Sequence, residues 1–241
     1  MNIIGISGQI GSGKDSIADY FIDKHGYQKH AFADPLKEFL AKIFEFSQEQ
    51  LWGPSEKRNE TDVRYDNSNS ESWEDAKDNL KQFGPSFVNE VVTKVNKRPV
   101  ALQKLFDWFH WLRENQSPLS PRVCLQSLGS EWGRSIDADI WASYLLVRAQ
   151  RSLSSGVPAV IVSDVRLRNE LQAIRDVGGK LIKVVRSSTD QEASNIGLIG
   201  HSSEQEQKSF LLAEFDFVII NDGSLDDLFI QVDKIVEQLV I

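Results

Sequence analysis

A run of small residues followed by a lysine, close to the start of the chain, has the composition of a phosphate-binding loop. Residues 8–16 have the sequence Gly-Gln-Ile-Gly-Ser-Gly-Lys-Asp-Ser. Small residues let consecutive backbone N–H groups converge on phosphate oxygens, and Lys14 supplies a positive charge for the β- and γ-phosphates. The pattern predicts that a nucleotide is bound by Gly8, Gly11, Ser12, Gly13, Lys14, Asp15 and Ser16.

The flanks of this loop support the prediction, and one residue in it is unusual. An apolar run at 3–6 predicts a strand before the loop, and helical spacing at 17–22 predicts a helix after it. Asp15 stands where the motif usually has the Ser or Thr whose hydroxyl binds Mg²⁺. Since phosphates repel a carboxylate unless Mg²⁺ or a backbone amide shares it, we predict that Asp15 acts on the metal side through water. Ser16 would then contact a phosphate.

Strand and helix patterns alternate at both ends of the chain. Strand signals occur at five places, and the third and fifth are nearly unbroken runs of β-branched and aromatic residues, which predict strands buried on both faces. Helical spacing follows four of the five predicted strands. The predicted strands are 3–7, 28–32, 159–163, 180–185 and 215–221, and the helices are 14–25, 35–46, 166–177 and 224–239. We expect an α/β fold of three layers around a five-stranded parallel sheet, with ligands at the carboxyl ends of the strands.

The alternation is interrupted between about 47 and 157, which we interpret as a helical insertion in one domain whose core is 1–46 and 158–241. Residues 53–78 are rich in Asn, Ser, Asp and Glu and predict a mobile polar loop. Apolar residues at 102–112 fill more than one helical stripe and predict a core helix or a subunit interface, so a homodimer is one hypothesis. Helical spacing is found at 80–95, 102–113, 121–131 and 137–152.

A second irregular stretch, about 187–214, separates the last two predicted strands. A long loop at that place is typical of a functional lid, which would exclude water from phosphoryl transfer. Ser203 and Glu206 have the spacing of a capping box. His201 is interpreted either as an ordinary surface histidine or as a lid residue that touches phosphate.

Charged residues occur where predicted strands end and helices begin. Asp164 and Arg166 follow the third strand, where Asp164 would hold Mg²⁺, cap the next helix, or do both, and Arg166 would reach the phosphates. Asp34 as N-cap and Pro35 as first helical residue are ordinary signals of a helix start. Lys37 in that first turn opposes the helix dipole, which favours a role in binding an anion such as an acceptor phosphate.

One predicted helix carries polar residues at regular spacing. Arg122, Gln126 and Ser130 are four residues apart and would share a helix face. Such a face is able to bind a phosphate and a base edge, but it is equally typical of a solvated surface.

Composition limits the function classes. The chain has 241 residues, 41% of them hydrophobic, and a net charge of −8, so affinity for a nucleic-acid backbone is not expected. The single cysteine, Cys124, excludes an intrachain disulfide, suits a reducing compartment, and is interpreted as a small core residue. No apolar stretch reaches the length of a membrane span, and a signal peptide is not evident. We expect a cytoplasmic protein.

Together these segments resemble the deoxynucleoside monophosphate kinases of tailed phages, within the wider family of P-loop nucleoside monophosphate kinases. The similarity covers most of the chain, and the Gly-Lys-Asp loop is itself usual in that group. The residues that carry it are Ser7-Gly8, Ser12–Ser16 with Ala18-Asp19, Pro35–Lys37, Leu125–Glu131, Asp139–Trp141, Asp164–Arg166, His201–Glu204 and Asn221–Leu225.

The resemblance implies transfer of the γ-phosphate of ATP to a deoxynucleoside 5′-monophosphate, with Mg²⁺ as cofactor. It implies that residues 8–16 hold ATP and Mg²⁺, with Asp15 and Asp164 on the metal side. It also implies that Lys14, Lys37, Asp164 and Arg166 are catalytic. The implied acceptor pocket consists of Leu36, Lys37, Arg122, Gln126, Gly129, Ser130 and Trp141, with Arg64 as a further candidate.

Two other functions are kept open by the sequence. One is a kinase for another small acceptor, such as a compound like dephospho-coenzyme A, since the Asn-Asp-Gly-Ser-Leu segment at 221–225 is also similar to the end of those kinases. The other is a P-loop module that binds nucleotide without catalysis. Base preference and selectivity for deoxyribose are open as well.

Overall fold

The computed structural model describes residues 2–187 and 209–239, which divide into two compact units. The first unit comprises 1–32 and 145–241, and the second comprises 33–144. In the first unit five parallel strands form one sheet in the order β2-β3-β1-β4-β5. This sheet confirms the predicted fold class. The strands are β1 Ile3–Gly8, β2 Gln28–His30, β3 Val160–Val162, β4 Lys180–Val185 and β5 Phe217–Ile220.

Helices cover both faces of this sheet, because its central strands are apolar on both sides. The helices of this unit are α1 Lys14–His25, α9 Arg168–Asp176 and α10 Leu225–Gln238, and the unit also contains most of α8 Ile140–Ser154. One face of the sheet packs against α1 and α10 through a buried cluster that includes Ile6, Phe21, Ile182 and Val232. On the other face α9 contacts β1 and β4.

The second unit is helical. Its helices are α2 Asp34–Phe44, α3 Gln48–Trp52, α4 Ser55–Asn59, α5 Ser70–Val91, α6 Arg98–Asn115 and α7 Pro121–Ser127, followed by a π-helix at Leu128–Arg134. The longest of them, α5, packs against both α2 and α6, while α7 packs against α2 and α4.

Aromatic side chains form the core of the second unit. Phe109 is fully buried, stacks on Phe44 at 5.9 Å between ring centroids, and meets Trp73 edge-on at 5.8 Å. Trp111 in the same helix is 43% exposed. Most of the apolar surface at 102–112 therefore belongs to the core, and Cys124 is also fully buried, as its interpretation as a core residue requires. Burial raises the pKa of the Cys124 thiol.

The prediction of a mobile loop at 53–78 is wrong. The segment contains α4, a 3₁₀ turn at Val63–Tyr65 and the start of α5. Its polar side chains are used in local hydrogen bonds, as when Asp66 accepts from the backbone N–H and the hydroxyl of Ser68 at 2.9 and 2.6 Å. Tyr65 and Trp73 anchor it in the core. Composition alone did not reveal these two anchors.

Two predicted helix starts are corrected. Helix α9 begins at Arg168, so Asp164 is not its cap; the buried Glu170 carboxylate accepts the backbone N–H of Arg166 and of Leu167 instead. Helix α2 begins one residue early, with Ala33 as N-cap and Asp34 already helical. The predicted lid lies mostly outside the described residues, as do His201 and the Ser203–Glu206 pair.

The buried face of α6 gives a testable expectation for stability. Phe109→Ala removes a fully buried ring from the aromatic core, and we expect a loss of about 3–5 kcal/mol in the free energy of unfolding. Urea unfolding followed by far-UV circular dichroism measures it. The matched control is the exposed Trp111→Ala, expected to change stability by less than about 0.5 kcal/mol. Equal losses in the two variants would contradict this packing.

Candidate active site

The phosphate loop joins the buried strand β1 to helix α1. Gly11 and Gly13 have φ values of +79° and +95°, which glycine adopts without strain. Helix α1 begins at Lys14, directly after Gly13, so its unpaired N–H groups and positive dipole end face the loop. This is the strand–loop–helix context in which the motif binds phosphate.

The loop has the features of a cradle for an anion. A Cβ atom on Gly8 would lie 2.5 Å from the Ser12 hydroxyl oxygen, so only glycine leaves that space open. The Ser12 hydroxyl is buried, and no group in the described part of the chain forms a hydrogen bond with it. Since a buried hydroxyl without a partner is costly, a phosphate oxygen at this position would satisfy it. The residues present therefore fit a bound phosphate.

Lys14 supplies the charge of this cradle. Only 7% of the residue is exposed, and its Nζ donates to the Gln9 carbonyl oxygen at 3.3 Å. Burial lowers the pKa of the Lys14 ammonium below its usual value, and the positive charges of Arg166 and Lys29 lower it further, whereas Asp15 and Asp164 act in the opposite direction. The predicted residues Asp15, Asp164 and Arg166 therefore all lie close enough to Lys14 to interact with its charge.

A cavity of about 360 Å³ opens beside the loop. Besides residues 11–16 it is lined by residues that follow the last two strands of the sheet. The lining residues are Gly11, Gly13, Lys14, Asp15, Ser16, Arg186, Asn221, Gly223 and Leu225. Arg186 and Asn221 were not among the predicted site residues, although each directly follows a strand, β4 or β5, at the sheet edge where ligands were expected.

Asn221 and Arg186 both bind the backbone of the loop. The buried Asn221 amide donates to the Ser12 carbonyl oxygen at 2.8 Å, and the Arg186 guanidinium donates to the Gly11 carbonyl oxygen at 3.2 Å. A Cβ atom on Gly13 would lie 2.3 Å from the Asn221 amide nitrogen. The end of β5 thus holds the loop at the position where α1 begins.

Asp164 and Arg166 lie on the segment between β3 and α9. The Asp164 carboxylate accepts the backbone N–H of Phe32, just past the end of β2, at 3.1 Å. The Glu170 carboxylate fixes the backbone of Arg166 from the other side, at 2.9 Å. The orientation of this segment therefore depends on two carboxylates that bind backbone amides.

Asp15 is the most exposed charged residue of the loop region, with 69% of its side chain accessible. Its carboxylate lies 3.5 Å from the Lys29 ammonium, which is also 3.3 Å from Asp19. Lys29 lies on β2, and nothing in the sequence around it marks this contact.

Lys37 lies in the first turn of α2 in the second unit. Its ammonium is 5.7 Å from the centre of the Trp52 indole ring at the end of α3. Trp52 is 36% exposed, although tryptophan is usually better covered. Sequence analysis missed Trp52, because only the fold of the second unit brings it beside Lys37.

The polar residues expected on one helix face lie in two consecutive helical segments. Arg122 and Gln126 lie in α7, and Ser130 lies in the π-helix that follows, where the residue spacing changes. The common face of all three residues stays a prediction. The Arg122 guanidinium donates to the Asn59 side chain at 2.5 Å and to the Ser55 hydroxyl at 2.6 Å.

Three other predicted acceptor residues are neighbours in the second unit. The buried Trp141 indole N–H donates to the Gly129 carbonyl oxygen at 2.9 Å. Leu36 lies against Gly129, with its Cδ1 3.4 Å from the place of a Cβ atom there. Gly133, in the same π-helix as Gly129, lies under the Trp141 ring.

Arg64 is held by a buried carboxylate. Its guanidinium pairs with Asp62 at 2.8 Å and also donates to the carbonyl oxygens of Phe44 and Glu45 at 3.4 and 3.3 Å. Burial opposes the ionisation of Asp62, but hydrogen bonds from Arg64 and Gln50 outweigh it and lower the pKa of Asp62. These contacts connect Arg64 and Asp62 to the backbone at the end of α2.

The described residues contain neither a membrane-spanning helix nor a cluster of metal ligands. No helix in 2–187 or 209–239 has the length and apolar character needed to cross a membrane. Within the same residues no group of three or more His, Cys, Asp or Glu side chains is arranged to hold a metal ion.

The sheet, the glycine loop after its first strand and the cationic groups beside that loop define a P-loop nucleotide-binding protein. A family model, deoxynucleotide monophosphate kinase, matches residues 2–232. The chain therefore belongs to the deoxynucleotide monophosphate kinase family, and it is a kinase.

The chain is also similar to named proteins over nearly their full length. A protein of Acanthamoeba polyphaga mimivirus that carries the family's name is 25% identical over 98% of this chain and 97% of its own. The deoxynucleotide monophosphate kinase of Enterobacteria phage T4 is 27% identical over 99% of this chain and 100% of its own. A solved dephospho-CoA kinase from Campylobacter jejuni has a TM-score of 0.44 at 13% identity, over 99% of this chain and 96% of that one. That likeness is too distant to bear on the acceptor.

The lowered pKa of Lys14 predicts how nucleotide affinity depends on pH. A bound phosphate stabilises the ammonium and raises its pKa, so binding above the lowered pKa must take up a proton. We expect the affinity for ADP to fall as the pH rises from 8 towards 10, where the phosphates themselves are already fully ionised. Calorimetry in two buffers of different ionisation enthalpy measures the uptake. Binding without proton uptake at the upper end of this range would contradict the assignment.

Proposed function

We propose that the chain transfers the γ-phosphate of ATP to a deoxynucleoside 5′-monophosphate, giving the diphosphate and ADP. The observation that carries the proposal is the loop at 8–16, where the Lys14 ammonium is buried and the buried Ser12 hydroxyl forms no hydrogen bond with any described residue. Membership of the deoxynucleotide monophosphate kinase family supports the choice of acceptor. ATP is the phosphate donor that a kinase of this family requires.

The donor nucleotide is proposed to lie in the cavity beside the loop. Its phosphates would meet the N–H groups of residues 8–16 and the Lys14 ammonium. Its sugar and base would lie between Arg186 and Leu225, since a guanidinium and an apolar side chain both pack well against a base. Asn221 would hold the loop in place without contacting the base.

The chemistry requires charge stabilisation more than covalent participation. A non-bridging oxygen of the acceptor phosphate attacks the γ-phosphorus. The bond between that phosphorus and the β–γ bridging oxygen breaks, and its electron pair leaves with ADP. The attacking oxygen is already anionic, so no general base is needed. Lys14 and Arg166 would balance the charge that moves to the leaving oxygen, and Lys37 would bind the acceptor phosphate.

Magnesium is proposed as the cofactor, with Asp15 and Asp164 on its side of the site. Carboxylate oxygens are the ligands that Mg²⁺ prefers, and both groups lie close enough to Lys14 to alter its pKa. Asp15 and Asp164 would hold the ion, which would supply positive charge to the phosphates when bound. Ser16 is assigned to a phosphate contact.

The acceptor is proposed to bind to residues of the helical insertion, which we assign to 47–157, together with the start of α2. The assigned residues are Leu36, Lys37, Arg64, Arg122, Gln126, Gly129, Ser130 and Trp141. We add Trp52, because an exposed indole beside Lys37 provides a stacking surface next to a phosphate-binding charge. A lid at about 187–214, a homodimer and a location in the host cytoplasm complete the proposal.

A coupled assay of ADP release over a panel of monophosphates tests the function directly. We expect dAMP, dGMP, dCMP or dTMP to raise ADP release at least about tenfold above the rate without acceptor. Lys14→Met should abolish that increase, since it removes the charge that meets the transferring phosphate. Stimulation by dephospho-coenzyme A alone would favour the other kinase. Nucleotide binding without turnover would favour a non-catalytic module.

Trp52 gives a sharper prediction about the acceptor. Stacking on an aromatic ring contributes about 1–3 kcal/mol per base and does not depend on which base is stacked. We therefore expect Trp52→Ala to raise the KM for every accepted deoxynucleotide by a similar factor of about 5–100, with KM for ATP unchanged. Trp52→Phe should recover most of the affinity.

Trp111→Ala is the matched control for Trp52, because Trp111 is a similarly exposed indole in the same unit that lies on α6. Its KM values should equal those of the wild type. A Trp52→Ala effect confined to one base would indicate a specific base contact rather than stacking.

A further inference from the structure

Asp15 presents an electrostatic problem within the phosphate loop. It lies in the first turn of α1, beside Lys14, at the wall of the cavity assigned to the donor phosphates. A carboxylate there repels a polyanion and cancels the charge that Lys14 supplies. Asp19, one helical turn later, adds a second negative charge on the same side of the helix.

Lys29 lies where it can compensate both carboxylates. Its ammonium is 3.5 Å from Asp15 and 3.3 Å from Asp19, and 31% of its side chain is exposed, half or less of the exposure of either partner. Lys29 belongs to β2, so the sheet fixes its backbone, while the two aspartates lie on α1. Its charge is also felt at Lys14, whose pKa it lowers.

We propose that Lys29 is a positioning residue that neutralises Asp15, so that the phosphate loop can carry a carboxylate and still bind a polyanion. The inference rests on the proposed function only in taking residues 8–16 as the site of the donor phosphates. Lys14 and Lys29 together balance Asp15 and Asp19. Without Lys29 the same group has a net charge of −1.

Two other roles for Lys29 are less well supported by its contacts. As a simple tie between β2 and α1 it would contribute little, because exposed ion pairs add little to folding stability. As a direct phosphate ligand it would have to leave two carboxylates that lie within 3.5 Å. Lys29 therefore acts on the ligand through Asp15.

A double-mutant cycle measures this dependence. ADP binding is followed by calorimetry for the wild type, Lys29→Met, Asp15→Asn and the double variant, in EDTA so that no metal contributes. We expect Lys29→Met to weaken ADP binding by about 3- to 10-fold. Asp15→Asn alone leaves the same group with a net charge of +1 and should strengthen ADP binding by a similar factor, and the double variant should return to near the wild-type affinity. Since the effect is electrostatic, it should shrink as salt is raised.

Two further variants separate charge from structure. Lys29→Arg keeps the charge and should bind ADP as the wild type does. Lys24→Met is the matched control, since Lys24 is also on the first unit's surface and pairs with Asp233 at 2.6 Å, but at the far end of α1. It should leave ADP affinity unchanged. Thermal unfolding of each protein checks that all are folded.

The possible results distinguish the explanations. If the double variant binds ADP as weakly as Lys29→Met does, then Lys29 acts on the ligand independently of Asp15 and the proposal is wrong. If Lys29→Met lowers only the melting temperature, Lys29 is merely a structural tie. If the wild type itself does not bind ADP, the proposed function fails, whatever the variants do.

Discussion

The contact between Gly13 and Asn221 is the constraint on which the nucleotide site depends. Gly13 has a φ of +95°, and a Cβ atom added to it would lie only 2.3 Å from the Asn221 amide nitrogen. The same amide donates to the Ser12 carbonyl oxygen. One glycine and one buried amide therefore fix the loop against the end of β5 before any ligand arrives, and α1 begins with its N–H groups directed at the anion.

Such preorganisation matters because the chain is acidic. With a net charge of −8 it has no general attraction for polyanions, so affinity must come from a few cationic groups at short range. Burial strengthens the field of Lys14 but also makes its charged form costly, which is why the pKa of Lys14 is lowered. A bound phosphate relieves that cost. The buried ammonium and the Ser12 hydroxyl thus favour the same ligand for two independent reasons.

The sheet and the loop were predictable from sequence because their signals are local. Strands β1, β3, β4 and β5 are rich in β-branched residues, and the loop with its flanks is a continuous motif. The segment 53–78 was misassigned because its polar composition indicated a loop, while burial of Tyr65 and Trp73 decided the structure. The π-helix at Leu128–Arg134 places Gly133 beneath the Trp141 ring, a packing contact that residue spacing alone does not reveal. Arg186 and Asn221 could have been found from their places at strand ends, whereas Lys29 and Trp52 could not.

Asp15 shows why a residue that departs from a motif has to be interpreted with its neighbours. The sequence gives no indication of a counterion for Asp15, and the sequence alone therefore predicts a role on the metal side of the site. In the fold, Lys29 and Asp19 surround it, and the group formed with Lys14 has no net charge. With Asp15 compensated, the buried Lys14 ammonium, the backbone dipoles and the Ser12 hydroxyl can together attract phosphate. These dipoles are fixed by the backbone, so their direction does not change when a charged ligand enters or leaves.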